Sequence, residues 1–154
     1  MKLSLRRVVP HLIALARRHD EPFCAVVIEP KTGEVLATGV NKSKIDPTQH
    51  SEMAALRALV RGRPAADRSK LVLYTTAEPC PMCAAALVWC DFGDVVYGIR
   101  RPELVARGWD DFTVRAKTLL DDARRRGRYS GAISEFVPRL RRRCVDLFER
   151  KGAR

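Results

Sequence analysis

Apolar and polar positions follow two different periods along this chain, and these periods separate predicted helices from predicted strands. Residues 51–60 place Met53, Leu56 and Leu59 at intervals of three, which puts side chains on one face of a helix. The apolar, β-branched run at residues 71–76 is typical of a buried strand. The predicted order is helix 3–19, strand 23–29, strand 34–40, helix 51–60, strand 71–76, helix 81–90, strand 94–99, helix 113–126, strand 133–137 and a last helix from residue 139.

This order predicts an α/β fold with three layers, α-β-α, around a central mixed five-stranded sheet. The turn at Pro30-Lys31-Thr32-Gly33 indicates that the first two strands pair antiparallel. The run at residues 71–76 is apolar throughout, so we expect it near the middle of the sheet. No internal repeat or long linker divides the sequence, and we therefore expect one domain over residues 1–154.

Charge adds a second feature to this picture. The chain of 154 residues is 46% hydrophobic and carries a formal net charge of +11. Residues 101–154 contain 15 Lys and Arg against 8 Asp and Glu. Such an excess is compatible with RNA binding, with steering of small anionic substrates, or with a solvated helix face, because Leu140, Cys144 and Leu147 form an apolar stripe opposite the arginines. The sequence leaves all three interpretations open.

Cysteine usage and the N-terminal segment bear on location. Five cysteines, an odd number, favour free thiols and a reducing environment, so we expect a cytoplasmic protein. The apolar stretch near the N-terminus is short and interrupted by Pro10 and His11, which favours an amphipathic helix over a signal peptide. No segment approaches the length of a membrane span, and we expect no membrane partner.

The main candidate chemistry lies in two short motifs, an H-x-E at residues 50–52 and a P-C-x-x-C at residues 79–83. His50, Cys80 and Cys83 supply three of the nitrogen and sulfur ligands that Zn²⁺ prefers. A structural zinc site takes four protein ligands, whereas a catalytic site leaves one position for solvent. We therefore expect one catalytic Zn²⁺, with water or hydroxide as its fourth ligand.

The spacing within the motifs gives each residue a role. If a helix begins at Pro81, Cys80 and Cys83 share one face at its N-terminus, where the helix dipole favours thiolates. Glu52 lies two residues from His50 and is the expected acceptor of a proton from water. A C-x-x-C alone would also fit a structural zinc knuckle or a redox pair. The occurrence of the H-x-E motif together with the P-C-x-x-C motif favours a catalytic zinc site over these two alternatives.

A larger set of residues resembles a known family. The region from Phe23 to Phe112 resembles the cytidine deaminase-like superfamily of zinc deaminases, and within it bacterial guanine deaminases. The matching stretches are Pro22-Phe23, Asn41, Asp46-Pro47-Thr48, His50-Ser51-Glu52, Leu73-Tyr74-Thr75, Glu78 to Cys83, Trp89 and Gly108-Trp109-Asp110-Asp111.

The resemblance implies a function and further site residues. It implies hydrolytic deamination of a free purine base, guanine and water giving xanthine and ammonia, in a homodimer with one Zn²⁺ per chain. Asp111 would be an additional proton shuttle. Asn41 and Asp110 would bind substrate, with Asn41 on the purine edge, while Phe23 and Trp89 would wall the pocket.

Other functions fit part of the same pattern. One is a tRNA adenosine deaminase that converts adenosine to inosine, since a basic C-terminal helix suits tRNA. Another is deamination of a different nucleoside, a pyrimidine or an aminotriazine. A third, from a different class, is a non-catalytic RNA-binding module that retains zinc for structure, against which the presence of Glu52 argues.

Overall fold

A mixed sheet with helices on both faces forms the centre of the computed structural model, which describes residues 4–109 and 112–149. The five-stranded α-β-α architecture predicted from the sequence is confirmed within these residues. The elements are α1 (Leu5–Ala16), β1 (Cys24–Glu29), β2 (Glu34–Val40), α2 (Ser51–Gly62), a 3-10 turn (Arg68–Lys70), β3 (Val72–Ala77), α3 (Pro81–Trp89), β4 (Asp94–Ile99), α4 (Arg101–Ala106), α5 (Ala116–Arg125), β5 (Ile133–Glu135) and α6 (Pro138–Val145).

The strand order across the sheet is β2-β1-β3-β4-β5. β1 pairs antiparallel with both β2 and β3, whereas β3–β4 and β4–β5 are parallel. β3 is central and buried along its whole length, as its apolar run predicts. Because β1 runs opposite to its neighbours, its first residue and the carboxyl ends of β2, β3 and β4 meet at one edge of the sheet.

Alternate strand residues divide the apolar core between the two faces of the sheet. On one face, α1 and α6 cover Cys24, Val26 and Tyr74. On the other, α2 and α3 cover Ala25 and Leu73. Both faces of β1 are therefore buried, which explains why its apolar run is continuous rather than alternating with polar residues.

Some element boundaries differ from the sequence prediction. Helix α4 was not predicted, because its six residues are too few to show a helical period. It begins after Arg100, whose backbone N–H donates to the Glu103 side chain at 3.1 Å. Strand β5 is shorter than predicted, and α5 begins at Ala116. None of the helices in the described part of the chain combines the length and the apolar character needed to cross a bilayer.

A close contact joins the end of β2 to the beginning of α2. A Cβ at Gly39 would lie 2.0 Å from the carbonyl oxygen of Ser51 and 2.5 Å from the backbone nitrogen of Ala55. Only glycine therefore fits at this position. The contact holds the first turn of α2, which carries Glu52, against the edge of the sheet where the strand ends meet.

The basic C-terminal third is partly neutralised by its own acids. At the end of α5, Arg124, Arg125 and the following Arg126 form ion pairs one helical turn back with Asp121 and Asp122. In α6, one side packs into the core through the fully buried Cys144, while Arg139, Arg142 and Arg143 are exposed. Several arginines of this region are therefore neutralised by nearby acids, while Arg139, Arg142 and Arg143 make no ion pair within the described part of the chain.

Candidate active-site cleft and metal centre

His50, Cys80 and Cys83 come together as a group that could hold a metal ion. One ligand atom from each lies within 4.8 Å of the others. Cys80 Sγ is 3.4 Å from His50 Nδ1 and 3.5 Å from Cys83 Sγ. With Zn–S of about 2.3 Å and Zn–N of about 2.0–2.1 Å, tetrahedral corners lie about 3.8 Å apart for two sulfurs and about 3.5 Å for sulfur and nitrogen. The three side chains therefore fit three corners of a zinc tetrahedron.

Two helix starts position these ligands, as the sequence predicts. Cys80 is the N-cap of α3, Pro81 occupies the first turn, and the Cys83 backbone N–H donates to Cys80 Sγ at 3.5 Å. His50 is the N-cap of α2. Because α2 and α3 lie on the same face of the sheet, their N-termini bring both motifs to one place.

The pKa values of the two thiols, Cys80 and Cys83, are shifted in opposite directions. A hydrogen bond from Cys83 lowers the pKa of Cys80, and His50 adds to this effect. The same hydrogen bond and burial raise the pKa of Cys83. The hydrogen bond to Cys80 also raises the pKa of His50. Binding of a metal by all three residues would therefore release protons, as is usual for thiolate sites.

Glu52 is a buried carboxyl at the same place. Its side chain is 5% exposed, and burial, followed by the charge of Cys80, raises its pKa. Two hydroxyls orient it: Thr75 Oγ1 donates to one carboxylate oxygen at 3.2 Å, and Ser51 Oγ donates to the other at 3.1 Å. The role of Thr75 is not predictable from the sequence, because nothing local links the middle of β3 to α2.

A cleft of about 220 Å³ opens over this group. Phe23 and Asn41 both line it, where the resemblance places them. The complete lining is Glu21, Phe23, Asn41, Ser43, His50, Ser51, Glu52, Ala77, Glu78, Cys80, Arg101 and Trp109. The cleft thus lies at the carboxyl ends of β2, β3 and β4, the usual position for sites on α/β sheets.

The aromatic wall of the cleft contains Trp109. The Phe23 and Trp109 rings meet edge to face, with centroids 5.1 Å apart. The fully buried Phe148, beyond α6, packs on both rings at 5.0 and 5.8 Å. The end of the C-terminal helix region therefore supports the back of this wall, a contact that the sequence analysis did not predict.

Three of the predicted site residues, Trp89, Asp110 and Asp111, are not among the described residues that line the cleft. Trp89 ends α3, is 79% exposed, and carries Arg128 5.6 Å above its ring. This position is away from the cleft lining, and its stacking role stays a prediction. Asp110 and Asp111 lie outside the described residues, so their predicted roles also stay predictions.

Glu78 anchors the metal-binding loop to later parts of the chain. Its fully buried carboxylate accepts hydrogen bonds from Arg115 Nε at 2.6 and 2.8 Å and from the backbone N–H groups of Arg101 and Ala116. Arg101 Nη1 in turn donates to the Glu78 carbonyl oxygen at 3.0 Å. This network fixes the segment between β3 and Cys80, and its residues are too distant in sequence to be recognised as a motif.

Comparison with known proteins agrees with this geometry. Residues 5–99 match the family described as the cytidine and deoxycytidylate deaminase zinc-binding region. The chain belongs to this family, and the matched range includes His50, Glu52, Cys80 and Cys83. The predicted superfamily resemblance is thereby confirmed.

Individual relatives show the range within the family. Guanine deaminase of Bacillus subtilis is 36% identical over 92 residues, 58% of each chain. A tRNA(Ile)-lysidine synthase of Deinococcus radiodurans is 39% identical over 95 residues, which are 60% of this chain and 16% of that one. The solved structure of the protein NE0047 in complex with 2,6-diaminopurine has a TM-score of 0.78 and 25% sequence identity. The match covers 96% of this chain and 82% of that one. The match thus spans a little over half of the guanine deaminase.

Proposed function

We propose that this protein is a zinc-dependent hydrolytic deaminase of a free purine base, with guanine as the substrate. The observation that carries the proposal is the buried carboxyl of Glu52 in the same cleft wall as His50 and Cys80. A purely structural zinc site takes four protein ligands, whereas the described residues gather three candidate ligands here and place this carboxyl beside them. The similarity to guanine deaminase supports the choice of base.

The chemistry needs a nucleophile and a proton carrier. Zinc bound by the three ligands would supply the first, since it lowers the pKa of a bound water to about 7. Glu52 takes a proton from the attacking water and delivers it to the ring nitrogen beside the attacked carbon. Thr75 and Ser51 hold the carboxyl in one orientation for this exchange.

The overall reaction balances without a further reactant. The ring carbon that bears the amine gains the oxygen of water, its bond to the amine nitrogen breaks, and the nitrogen leaves as ammonia. For guanine the product is xanthine. Asp111 is proposed to assist protonation of the departing amine.

The remaining cleft residues suit a planar, polar-edged ligand. Phe23 and Trp109 offer aromatic surface for a base, and Asn41 offers a hydrogen-bonding amide at the cleft wall. We propose that this ligand is a nucleobase and that the protein acts as a homodimer. Light scattering on the purified protein measures the oligomeric state directly.

The decisive experiment is a substrate panel. Ammonia release is measured with purified, zinc-loaded protein on guanine, guanosine, adenine, cytosine, cytidine, an aminotriazine and unmodified tRNA, with Glu52→Ala as the blank. Release from guanine well above all other substrates is the expected result. Release only from another small molecule would replace guanine by that substrate.

A tRNA adenosine deaminase is the second candidate. The exposed Arg139, Arg142 and Arg143 on α6 favour it, as does the tRNA-modifying relative. In that case ammonia release would require tRNA, and Arg142→Glu with Arg143→Glu would weaken tRNA binding. The same pair of substitutions would leave guanine turnover unchanged if the first proposal is correct.

A further inference from the structure

Glu21 lies in the cleft wall next to Asn41. It precedes Pro22 and the beginning of β1, and its side chain is 25% exposed. Asn41 follows β2, and its backbone N–H donates to the Phe23 carbonyl at 3.1 Å, so both residues lie at the same edge of the sheet. The Asn41 side chain donates through Nδ2 to the Glu21 carboxylate.

We propose that Glu21 is a positioning residue that fixes the amide of Asn41 and thereby selects a substrate edge bearing an N–H donor. This inference rests on the proposed function and makes its specificity more definite. Asn41 is the residue that would touch the base, and Glu21 would act through it.

The orientation follows from the hydrogen-bonding capacities of the two groups. An asparagine amide has two N–H donors on nitrogen and one acceptor oxygen, whereas an ionised carboxylate only accepts. Only Nδ2 can therefore face Glu21. The same nitrogen donates to Ser43 Oγ at 2.9 Å, which uses its second hydrogen.

The carbonyl oxygen is then the group that Asn41 offers to a ligand. Among residues 4–109 and 112–149, no donor makes a hydrogen bond to Asn41 Oδ1. An acceptor held in this way favours a heterocycle that presents a ring N–H or an exocyclic amine, and disfavours one whose nitrogen there is substituted. Without Glu21 the amide could rotate, serve as donor or acceptor, and lose this preference.

The chain provides a matched control in Asp20. Lys44 Nζ lies 3.8 Å from the Asp20 carboxylate and 4.0 Å from that of Glu21. Asp20 is 91% exposed and does not line the cleft. Asp20→Asn therefore removes the same charge from the same cation as Glu21→Gln does, while Asn41 keeps its partner.

The first measurement requires no substrate. In the full-length, zinc-loaded protein, the side-chain amide ¹H–¹⁵N signals of Asn41 are assigned by their loss in Asn41→Asp. Glu21→Gln should shift these signals and speed the exchange of their hydrogens with solvent, whereas Asp20→Asn should leave them in place. Unmoved signals in Glu21→Gln would overturn the proposal, whatever the substrate proves to be.

The second measurement is selectivity. Values of kcat/KM are compared for guanine, 1-methylguanine and 9-methylguanine. The wild type should discriminate about tenfold or more against the analogue whose missing N–H faces Asn41. If the discrimination comes from the hydrogen bond, it should shrink to about threefold or less in Glu21→Gln and persist in Asp20→Asn. If it comes from steric exclusion of the methyl group, it would persist in both variants. That second result would overturn the proposal.

A reversed pair separates positioning from direct contact with the base. In Glu21→Gln combined with Asn41→Asp, the glutamine donates to the aspartate, which still presents an acceptor oxygen to the cleft. Recovery of guanine turnover relative to Asn41→Asp alone is the expected result. No recovery would mean that Glu21 itself binds the substrate. If the Asn41 signals respond as expected but guanine is not a substrate, the positioning role stands and the proposed substrate fails.

Discussion

The two ends of the cleft are built in different ways. At the metal end, His50, Cys80, Cys83 and Glu52 come from two short motifs at the first turns of α2 and α3. At the mouth, Glu21 precedes β1, Asn41 follows β2 and Trp109 follows α4, so these three residues come from separate parts of the chain. The residues for the proposed chemistry therefore lie in two short motifs, whereas those for the proposed substrate choice come from segments that only the fold brings together.

The metal end should fail most severely when a ligand is removed. Cys83→Ala should abolish zinc binding and turnover, and the melting temperature should fall by roughly 10 °C or more, because metal binding contributes to folding free energy. Metal content by mass spectrometry and thermal unfolding with and without added zinc measure both effects. Cys90→Ala is the matched control, since Cys90 is a free thiol outside the cleft. A folded, zinc-loaded and active Cys83→Ala would remove this residue from the ligand set.

Loss of the proton carrier should leave the metal end intact but inactive. Glu52→Gln keeps the shape and can still accept from Thr75, yet it cannot carry a proton. Turnover should fall by about 10³-fold, roughly 4 kcal/mol, while zinc content and unfolding remain near the wild type. Single-turnover rates with a zinc assay test this. A rate within tenfold of the wild type would contradict the proton-relay role.

The Glu78 network, between the two ends of the cleft, should contribute mainly to the free energy of unfolding. Glu78→Gln removes the charge that faces Arg115 and part of its hydrogen bonding, so the free energy of unfolding should fall by about 3 kcal/mol. Urea unfolding measures this. Glu34→Gln, which breaks only the exposed pair with Arg63, should cost less than about 1 kcal/mol. Equal losses in the two variants would show that Glu78 is not an anchor.

The smallest effect is expected at Asp111. Asp111→Asn should lower kcat on guanine by about tenfold, near 1.4 kcal/mol, with little change in KM, since a proton shuttle acts in the chemical step rather than in binding. Steady-state kinetics separates the two constants, and Asp110→Asn provides the neighbouring comparison. An unchanged kcat would leave Asp111 without a role in proton transfer.

The sequence could predict the metal end but only part of the mouth. The candidate zinc ligands follow from spacing and helix starts, and the sheet follows from apolar runs. The bond from Thr75 to Glu52 and that from Arg115 to Glu78 join residues 23 and 37 positions apart, and such contacts depend on packing rather than on local pattern. The aromatic wall is predictable only in part: Phe23 lines the cleft, Trp109 packs against it there, and the stacking role of Trp89 stays a prediction.

The anchoring of Glu78 also limits how the catalytic region could be moved into another protein. The family match ends at residue 99 and already includes every predicted zinc ligand. A fragment cut there would leave the buried Glu78 carboxylate without Arg115 and Ala116, and Phe23 without Phe148 behind it. A transplantable fragment that keeps both of these contacts would therefore have to extend past the end of α6 to Phe148.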